Sequence, residues 1–164
     1  MPFEFPDNLH PDCAPVAWLL GTWQGNGHGD YPTIEPYQFG QELIFTHDGR
    51  PFFHYLARAW IVDENGDKVR DAALETGFLR CRPEGKLELL LTHNTGFVEV
   101  YVGEAETAKF ELVTDAVVRT ESAKEYTAGK RLYGYVEGDL LYAYDMAAMG
   151  QELQPHTWAR LQRQ

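Results

Sequence analysis

Hydrophobic and polar residues alternate along much of the chain. In Phe53–Ile61 the odd positions are apolar or aromatic, while His54 and Arg58 occupy even positions. The same period of two recurs in Leu87–Thr92, Val98–Val102 and Phe110–Leu112. Successive side chains of a strand point to opposite faces, so each segment is predicted to be a strand with one buried and one solvated face. In Val98–Val102 we expect the valines to be buried and Glu99 and Tyr101 to be solvated.

Turn signals rich in Gly, Asn and Asp separate many of these segments. They are His47–Gly49, Asn65–Gly66, Glu84–Gly85, Asn94–Gly96 and Glu137–Asp139. Such tight links predict about eight to ten antiparallel strands. An open sheet of that width would expose its edges, so we expect closure into a barrel that can hold one small ligand. A two-sheet sandwich is the alternative.

One short helix is expected before the first strand. Asp12 is a suitable N-cap, and Cys13–Leu20 would form about two turns. The chain has no internal repeat and no linker, and its 164 residues fit one domain. Residues 1–164 are therefore predicted to form a single barrel domain with an ordered core of about 12–163.

The charge balance excludes several classes of partner. The chain has 14 Lys and Arg against 25 Asp and Glu, a formal net charge of −11. Phosphate backbones and anionic membrane surfaces would be repelled, so neither nucleic acid nor membrane is expected, and no protein partner is evident. Apolar runs such as Val16–Leu20 are far shorter than the roughly 20 residues of a membrane span. Met1–Phe5 lacks a signal-peptide pattern, so we expect a cytoplasmic protein with a neutral or enclosed ligand.

The cysteines and histidines do not form a metal cage of their own. Cys13 and Cys81 are far apart and lack CxxC spacing, so they are interpreted as ordinary thiols. The six histidines show no paired spacing. A haem needs only one protein ligand, because the porphyrin supplies four nitrogens. The pattern alone ranks His47, His93 and His156 about equally as candidates: His47 and His93 each end an apolar strand face, whereas the alternation at His156, which shares a face with Trp158, is ambiguous.

Alternating glycines mark the segment Gly21–Gly29. Glycines on one face of a strand let another backbone or a flat ligand approach closely. A dinucleotide-binding fingerprint would require a helix directly afterwards. Pro32 and Pro36 prevent a helix there, so that interpretation fails.

A series of motifs extends this segment over nearly the whole chain. The pattern GxWxGxG comprises Gly21, Trp23, Gly25 and Gly27, and a Gly-x-Trp near the start is typical of lipocalin and fatty-acid-binding barrels. It is followed, in order, by Tyr31–Ile34, Phe45–Phe52, Glu75–Arg80, Asn94–Glu99, Met146–Ala147 and Gln154–Leu161. In this order, the motifs resemble those of the nitrobindin family of haem-binding β-barrels.

The resemblance implies an all-β, ten-stranded antiparallel up-and-down barrel that holds one haem b per chain. In that family a histidine of the last strand, within a motif like His-x-x-Ala-x-Leu, binds the iron, and His156 occupies this position. The Tyr-Pro-Thr segment of the family approaches the haem, which implies that Thr33 does so here. Family members bind nitric oxide and convert peroxynitrite to nitrate. The resemblance therefore implies a peroxynitrite isomerase with these small molecules as partners and His156 as the catalytic residue.

A polar strand face near the C-terminus leaves two interpretations open. Arg131 and Tyr133 share this face, and Leu132 lies on the other. The polar face either points to solvent or forms a binding site. As a site, Arg131 would hold a fatty-acid head group, or Arg131 and Lys130 would contact a haem propionate. The alternative function is thus a carrier of a fatty acid or other small apolar ligand, without catalysis.

Overall fold

The computed structural model describes residues 3–164, so Met1 and Pro2 of the N-terminal segment considered above lie outside the described residues. The strands are β1 (Gly21–Tyr31), β2 (Ile34–Thr46), β3 (Phe52–Val62), β4 (Lys68–Cys81), β5 (Lys86–His93), β6 (Phe97–Glu106), β7 (Lys109–Arg119), β8 (Tyr126–Val136), β9 (Asp139–Ala148) and β10 (Gln154–Arg163). Two 3₁₀ helices, Pro11–Leu19 and Pro83–Gly85, complete the fold. Within residues 3–164, neither helix has the length and apolarity needed to cross a lipid bilayer.

The ten strands form one closed antiparallel barrel. Each strand pairs with its neighbours in sequence, and β1 pairs with β10 from Trp23 to Gly29. The predicted all-β barrel is therefore confirmed. Because the sheet closes on itself, the sandwich alternative is excluded.

The barrel interior is filled largely by the apolar faces that the alternation predicts. Phe53 and Tyr55 of β3, Leu89 and Leu91 of β5, and Phe110 of β7 are all fully buried. Burying one such side chain contributes roughly 1.5–3 kcal/mol. A closed barrel buries the inner face of every strand, so the alternation along the chain favours closure.

Strand β6 is inverted relative to its prediction. Glu99 and Tyr101 point into the barrel and are 2% and 0% exposed, whereas Val98 and Val102 lie outside at 43% and 38%. The expectation of buried valines was wrong, because a period of two shows which residues share a face but not which face is inside. The carboxylate can lie inside because it accepts hydrogen bonds there, including one from His93 Nε2 at 2.9 Å.

The N-terminal helix begins earlier than predicted, since it spans Pro11–Leu19 rather than Cys13–Leu20. Its N-cap is His10, and the prediction of Asp12 was wrong. The Nδ1 atom of His10 accepts a hydrogen bond from the backbone N–H of Asp12 at 3.1 Å. Pro11 lacks an N–H that would need a partner, so it suits the first helical position.

This helix closes the end of the barrel at which β1 begins. Trp18 stacks on Tyr135 with ring centroids 5.7 Å apart. Trp23, the tryptophan of the GxWxGxG pattern, is fully buried and donates its Nε1–H to the backbone oxygen of Leu19 at 2.8 Å. Arg163 donates to the backbone oxygen of Trp18 at 2.7 Å. The first and last strands thus both hold the helix in place.

The glycines of β1 make room for β10. A Cβ atom on Gly25 would overlap the backbone oxygen of Arg160, and one on Gly27 would overlap that of Trp158. These are the strands whose pairing closes the barrel. Of the two roles predicted for the glycines, the structure shows the close approach of another backbone.

Candidate functional site

A β-bulge in β10 governs the direction of the His156 side chain. Pro155 pairs with Asp145 of β9, and Thr157 pairs with the preceding residue Tyr144, so His156 is an extra residue between them. A bulge of this kind bends its strand and redirects a side chain, and bulges are common next to active sites.

The bulge turns His156 towards the inside of the barrel. Ala159 and Leu161 are buried, whereas Trp158 is 50% exposed. Strict alternation from these residues would place His156 on the outside, on the same face as Trp158. Instead, His156 lines a cavity together with the inward-facing Met146.

This cavity, here called the open-end cavity, lies at the end of the barrel opposite the N-terminal helix and has a volume of about 460 Å³. Small-molecule sites typically occupy about 300–1,000 Å³. Its lining comprises Thr33, Ile34, Glu35, Tyr37, Phe39, Ile61, Arg70, Ala72, Ala73, Lys124, Met146, Met149 and His156. The cavity therefore combines an apolar surface with one imidazole, two cationic side chains and the carboxylate of Glu35.

The hydrogen bonding of His156 leaves one ring nitrogen for a ligand. Its Nδ1 atom lies 3.2 Å from the backbone oxygen of Asp30. A carbonyl oxygen can only accept, so Nδ1 carries the proton in the neutral ring and Nε2 keeps its lone pair. Burial and the charge of Lys124 lower the pKa of His156 despite the bond to Asp30, with burial the larger cause. The ring is therefore neutral at neutral pH and able to bind a metal.

Three tyrosine rings surround the imidazole. The ring centroids of Tyr31, Tyr37 and Tyr144 lie 5.5, 6.4 and 5.8 Å from that of His156. All three meet the imidazole at steep interplanar angles, between 62° and 78°. These contacts restrict rotation of the ring and hold Nε2 in a defined direction.

The structure distinguishes the three histidines that the pattern ranked equally. His47 lies at the closed end, where its Nδ1 accepts from the backbone N–H of Gly49 and its ring packs on Phe53. His93 points inward as expected, but its Nε2 is bonded to Glu99 at 2.9 Å. Of the three, His156 is the one that lines the open-end cavity.

The residues predicted for the cofactor site are only partly brought together. Thr33 lies beside His156 in the lining of the cavity. Lys130 does not reach it, because β8 turns this side chain to the outside, where its Nζ lies 3.6 Å from Glu111. The contact between Lys130 and a haem propionate is therefore not supported by the geometry.

Arg131 occupies the barrel interior, so the interpretation of a solvent-exposed face was wrong. Its side chain is fully buried, with Nη1 2.7 Å from Glu75 and Nη2 3.8 Å from Glu99. With two carboxylates beside it, Arg131 carries no surplus positive charge for a fatty-acid head group or a propionate. This removes the specific support for the carrier function.

The cations of the cavity, Arg70 and Lys124, were missed by the sequence analysis. Arg70 comes from β4, and Lys124 comes from the connection between β7 and β8. The Lys124 side chain is exposed, and partial burial of its ammonium group lowers its pKa. No local motif marks either residue, since strand closure alone places them on one cavity.

These residues fit the haem that the resemblance implies. A haem requires an imidazole nitrogen with a free lone pair, apolar surface for the porphyrin and positive charge for two propionates. Nε2 of His156 provides the nitrogen with a free lone pair. Phe39, Ile61 and Met146 contribute apolar surface, and Arg70 and Lys124 provide positive charge at the same cavity.

Comparisons with known proteins find relatives over nearly the whole chain. A family model described as the THAP4-like, haem-binding β-barrel domain matches residues 12–163. The chain is 80% identical over 164 residues to a peroxynitrite isomerase of Nocardioides sp., with 100% of both chains covered. It is 44% identical to a ferric nitrobindin-like protein of Cutibacterium acnes, with 99% of each covered. The crystal structure of Rv2717c from M. tuberculosis has a TM-score of 0.86 at 36% identity, covering 95% of this chain and 99% of that one. The resemblance to nitrobindins is confirmed, and the chain belongs to the THAP4-like, haem-binding β-barrel family.

Proposed function

We propose that the chain binds one haem b through Nε2 of His156 and converts peroxynitrite to nitrate. The observation that carries this proposal is the bulged, neutral His156, with Nδ1 bonded to the Asp30 backbone oxygen and the ring lining the open-end cavity. A relative 80% identical over its full length bears the name peroxynitrite isomerase. Chemistry and relatedness therefore support the same activity.

Each residue at the cavity has a defined task. When bound, haem would supply the iron centre for the isomerisation of peroxynitrite to nitrate. His156 would donate its Nε2 lone pair, while the Asp30 oxygen holds the proton on Nδ1, which makes the imidazole a stronger ligand. Arg70 and Lys124, which line the same cavity, would pair with the propionates, and Thr33 would contact the rim of the bound group.

The same site would take nitric oxide as a second small-molecule partner. Phe39, Ile61 and Met146 contribute apolar surface to the cavity, and a neutral diatomic molecule loses little hydration when it enters such surroundings. The proposed action needs no second protein and no membrane. We propose that the chain works alone and in the cytoplasm, in keeping with its net charge of −11.

Stopped-flow mixing of peroxynitrite with a substoichiometric amount of haem-loaded protein tests the activity. We expect peroxynitrite to decay faster than in buffer over many turnovers, with the nitrate yield rising at the expense of nitrite. The apoprotein and an equal concentration of free hemin are the controls, because each lacks one half of the site. Decay no faster than with free hemin, or an unchanged ratio of nitrate to nitrite, would refute the proposal.

Haem affinity is expected to depend on pH through His156. Burial lowers the pKa of its imidazole from the ordinary value of 6.5. The ring therefore stays neutral, and the haem affinity stays unchanged, from neutral pH down to about pH 6.5. At lower pH a proton competes with iron for the ring, and the affinity falls about tenfold per pH unit once the pH is below the pKa. Hemin titrations across this range measure the effect, and a loss that is already present above pH 6.5 would contradict it.

A further inference from the structure

We propose that Tyr144 is a positioning residue for His156 and that the buried carboxylate of Glu99 holds it in place through Tyr126. The role of His156 as the iron ligand comes from the proposed function. The hydrogen-bonded chain from Glu99 to Tyr144 is formed entirely by side chains of this protein.

The chain has a fixed direction. Tyr144 donates its hydroxyl hydrogen to the hydroxyl oxygen of Tyr126 at 2.8 Å. Tyr126 in turn donates to Oε2 of Glu99, also at 2.8 Å. An ionised carboxylate only accepts, so Tyr126 must use its own hydrogen there and can receive Tyr144 only on oxygen. Each phenol therefore has one favourable hydroxyl orientation.

The carboxylate at the end of the chain is buried and ionised. Burial opposes its charge, but the hydrogen bond from His93 and the charge of Arg131 outweigh burial, and the pKa of Glu99 lies below its ordinary value. Tyr101 donates to Oε1 at 3.0 Å, so both carboxylate oxygens are occupied. The acceptor that anchors Tyr126 is thus present at every pH at which the protein would work.

Tyr126 is held from the side as well. Its ring stacks on Phe97 at 4.4 Å, and Phe97 stacks on His93 at 3.9 Å. Gly129 leaves the space for the hydroxyls, because a Cβ atom there would collide with those of Tyr101 and Tyr126. The position of the Tyr126 hydroxyl is therefore set by packing in addition to hydrogen bonding.

Tyr144 transmits this position to the iron ligand. The guanidinium carbon of Arg131 lies over the Tyr144 ring, 4.6 Å from its centroid. The centroids of the Tyr144 and His156 rings are 5.8 Å apart, with an interplanar angle of 65°. The imidazole is thereby held by the Asp30 oxygen at Nδ1 and, beside the rings of Tyr31 and Tyr37, by the ring of Tyr144. Loss of the Tyr144 hydroxyl would free the ring to tilt, and the imidazole could rotate with it.

The cost of this arrangement argues for a specific role. A buried ionised network contributes little net stability compared with apolar packing, but a fully satisfied one enforces a single arrangement of side chains. The arrangement enforced here ends on the side chain that faces the open-end cavity. Partners that orient a metal-bound histidine typically change metal affinity by about 10–100-fold when they are removed.

The test compares Tyr144→Phe and Tyr126→Phe with the matched control Tyr133→Phe, which removes the hydroxyl of another buried tyrosine of β8 that makes no hydrogen bond to Glu99, Tyr126 or Tyr144. The readouts are the haem dissociation constant and the iron–histidine stretching band in the resonance Raman spectrum of the ferrous protein. We expect both chain variants to shift or broaden the band and to weaken haem binding about tenfold. The double variant should be no worse than either single one, because both remove the same link. The control should leave the band and the affinity unchanged.

A purely structural role predicts a different result. In that case all three variants would lose thermal stability to a similar degree and keep the wild-type band, which would overturn the proposal. Failure of the proposed function is separately visible as a wild-type protein that takes up no haem. The proposal is then decided by the NMR signals of the His156 ring in the apoprotein, which Tyr144→Phe must shift and Tyr133→Phe must not.

Discussion

Replacing His156 with glycine is expected to weaken haem binding by more than about 100-fold, since loss of an outer partner alone costs about 10–100-fold. The substitution removes the imidazole that lines the open-end cavity and leaves a space of its shape. Imidazole added to the buffer should enter this space and coordinate the iron. We therefore expect it to restore the wild-type absorption spectrum and most of the affinity.

Hemin titration followed in the Soret region, with and without imidazole, measures both parts of this prediction. His28→Ala is the matched control, because His28 stacks on Trp158, which is exposed on the outside of the barrel. It should bind haem like the wild type. If His156→Gly keeps the wild-type spectrum without imidazole, another residue binds the iron and the assignment fails.

Replacing Arg131 with methionine is expected to lower the free energy of unfolding by about 3–5 kcal/mol, the typical cost of removing one partner from a buried ion pair. The variant leaves Glu75 and Glu99 close together inside the barrel with no guanidinium between them. Methionine has a side chain of similar length, so most of the loss in unfolding free energy comes from the uncompensated charge and little from a cavity. Chemical denaturation at neutral pH measures it.

The pH dependence of this variant separates charge from packing. Without Arg131 the pKa of Glu99 should rise above its value in the unfolded chain, so the variant regains stability as the pH falls and the carboxylate is protonated. Adding Glu75→Gln should recover part of the loss, because one of the two buried charges is then removed. A loss below about 1 kcal/mol, typical of an exposed pair, would show that the interior is hydrated and the network weak.

Much of the fold can be read from the residue pattern. Alternation in segments such as Phe53–Ile61, together with the turn signals, predicts antiparallel strands. An open sheet of so many strands would expose its two edge strands, which predicts closure into a barrel. The same pattern misassigned β6, since Val98 and Glu99 differ in polarity but their strand carries its polar residues inside. Phe97, Glu99 and Tyr101 share one face of β6. The two aromatic residues on this face were the sequence signal that it could be buried.

The site was accessible from the sequence only through family resemblance. Alternation alone places His156 on the face of Trp158, which is exposed. One extra residue in β10 reverses that direction, and a bulge has no reliable sequence signature because it depends on pairing with β9. The resemblance named His156 and Thr33, which both line one cavity, whereas the assignment of Lys130 and Arg131 to the cofactor site does not agree with the geometry.

The sequence by itself determined the strand content, the closed antiparallel topology, the family and the histidine to examine, because these follow from local periodicity and from ordered motifs. Only the tertiary structure decided which face of β6 is inside, where Arg131 points and which cations meet His156. Those features depend on strand register and on contacts between distant segments, such as Arg70 on β4 and Lys124 after β7. A shift of one residue in register would exchange the inner and outer faces, so no local pattern can fix them.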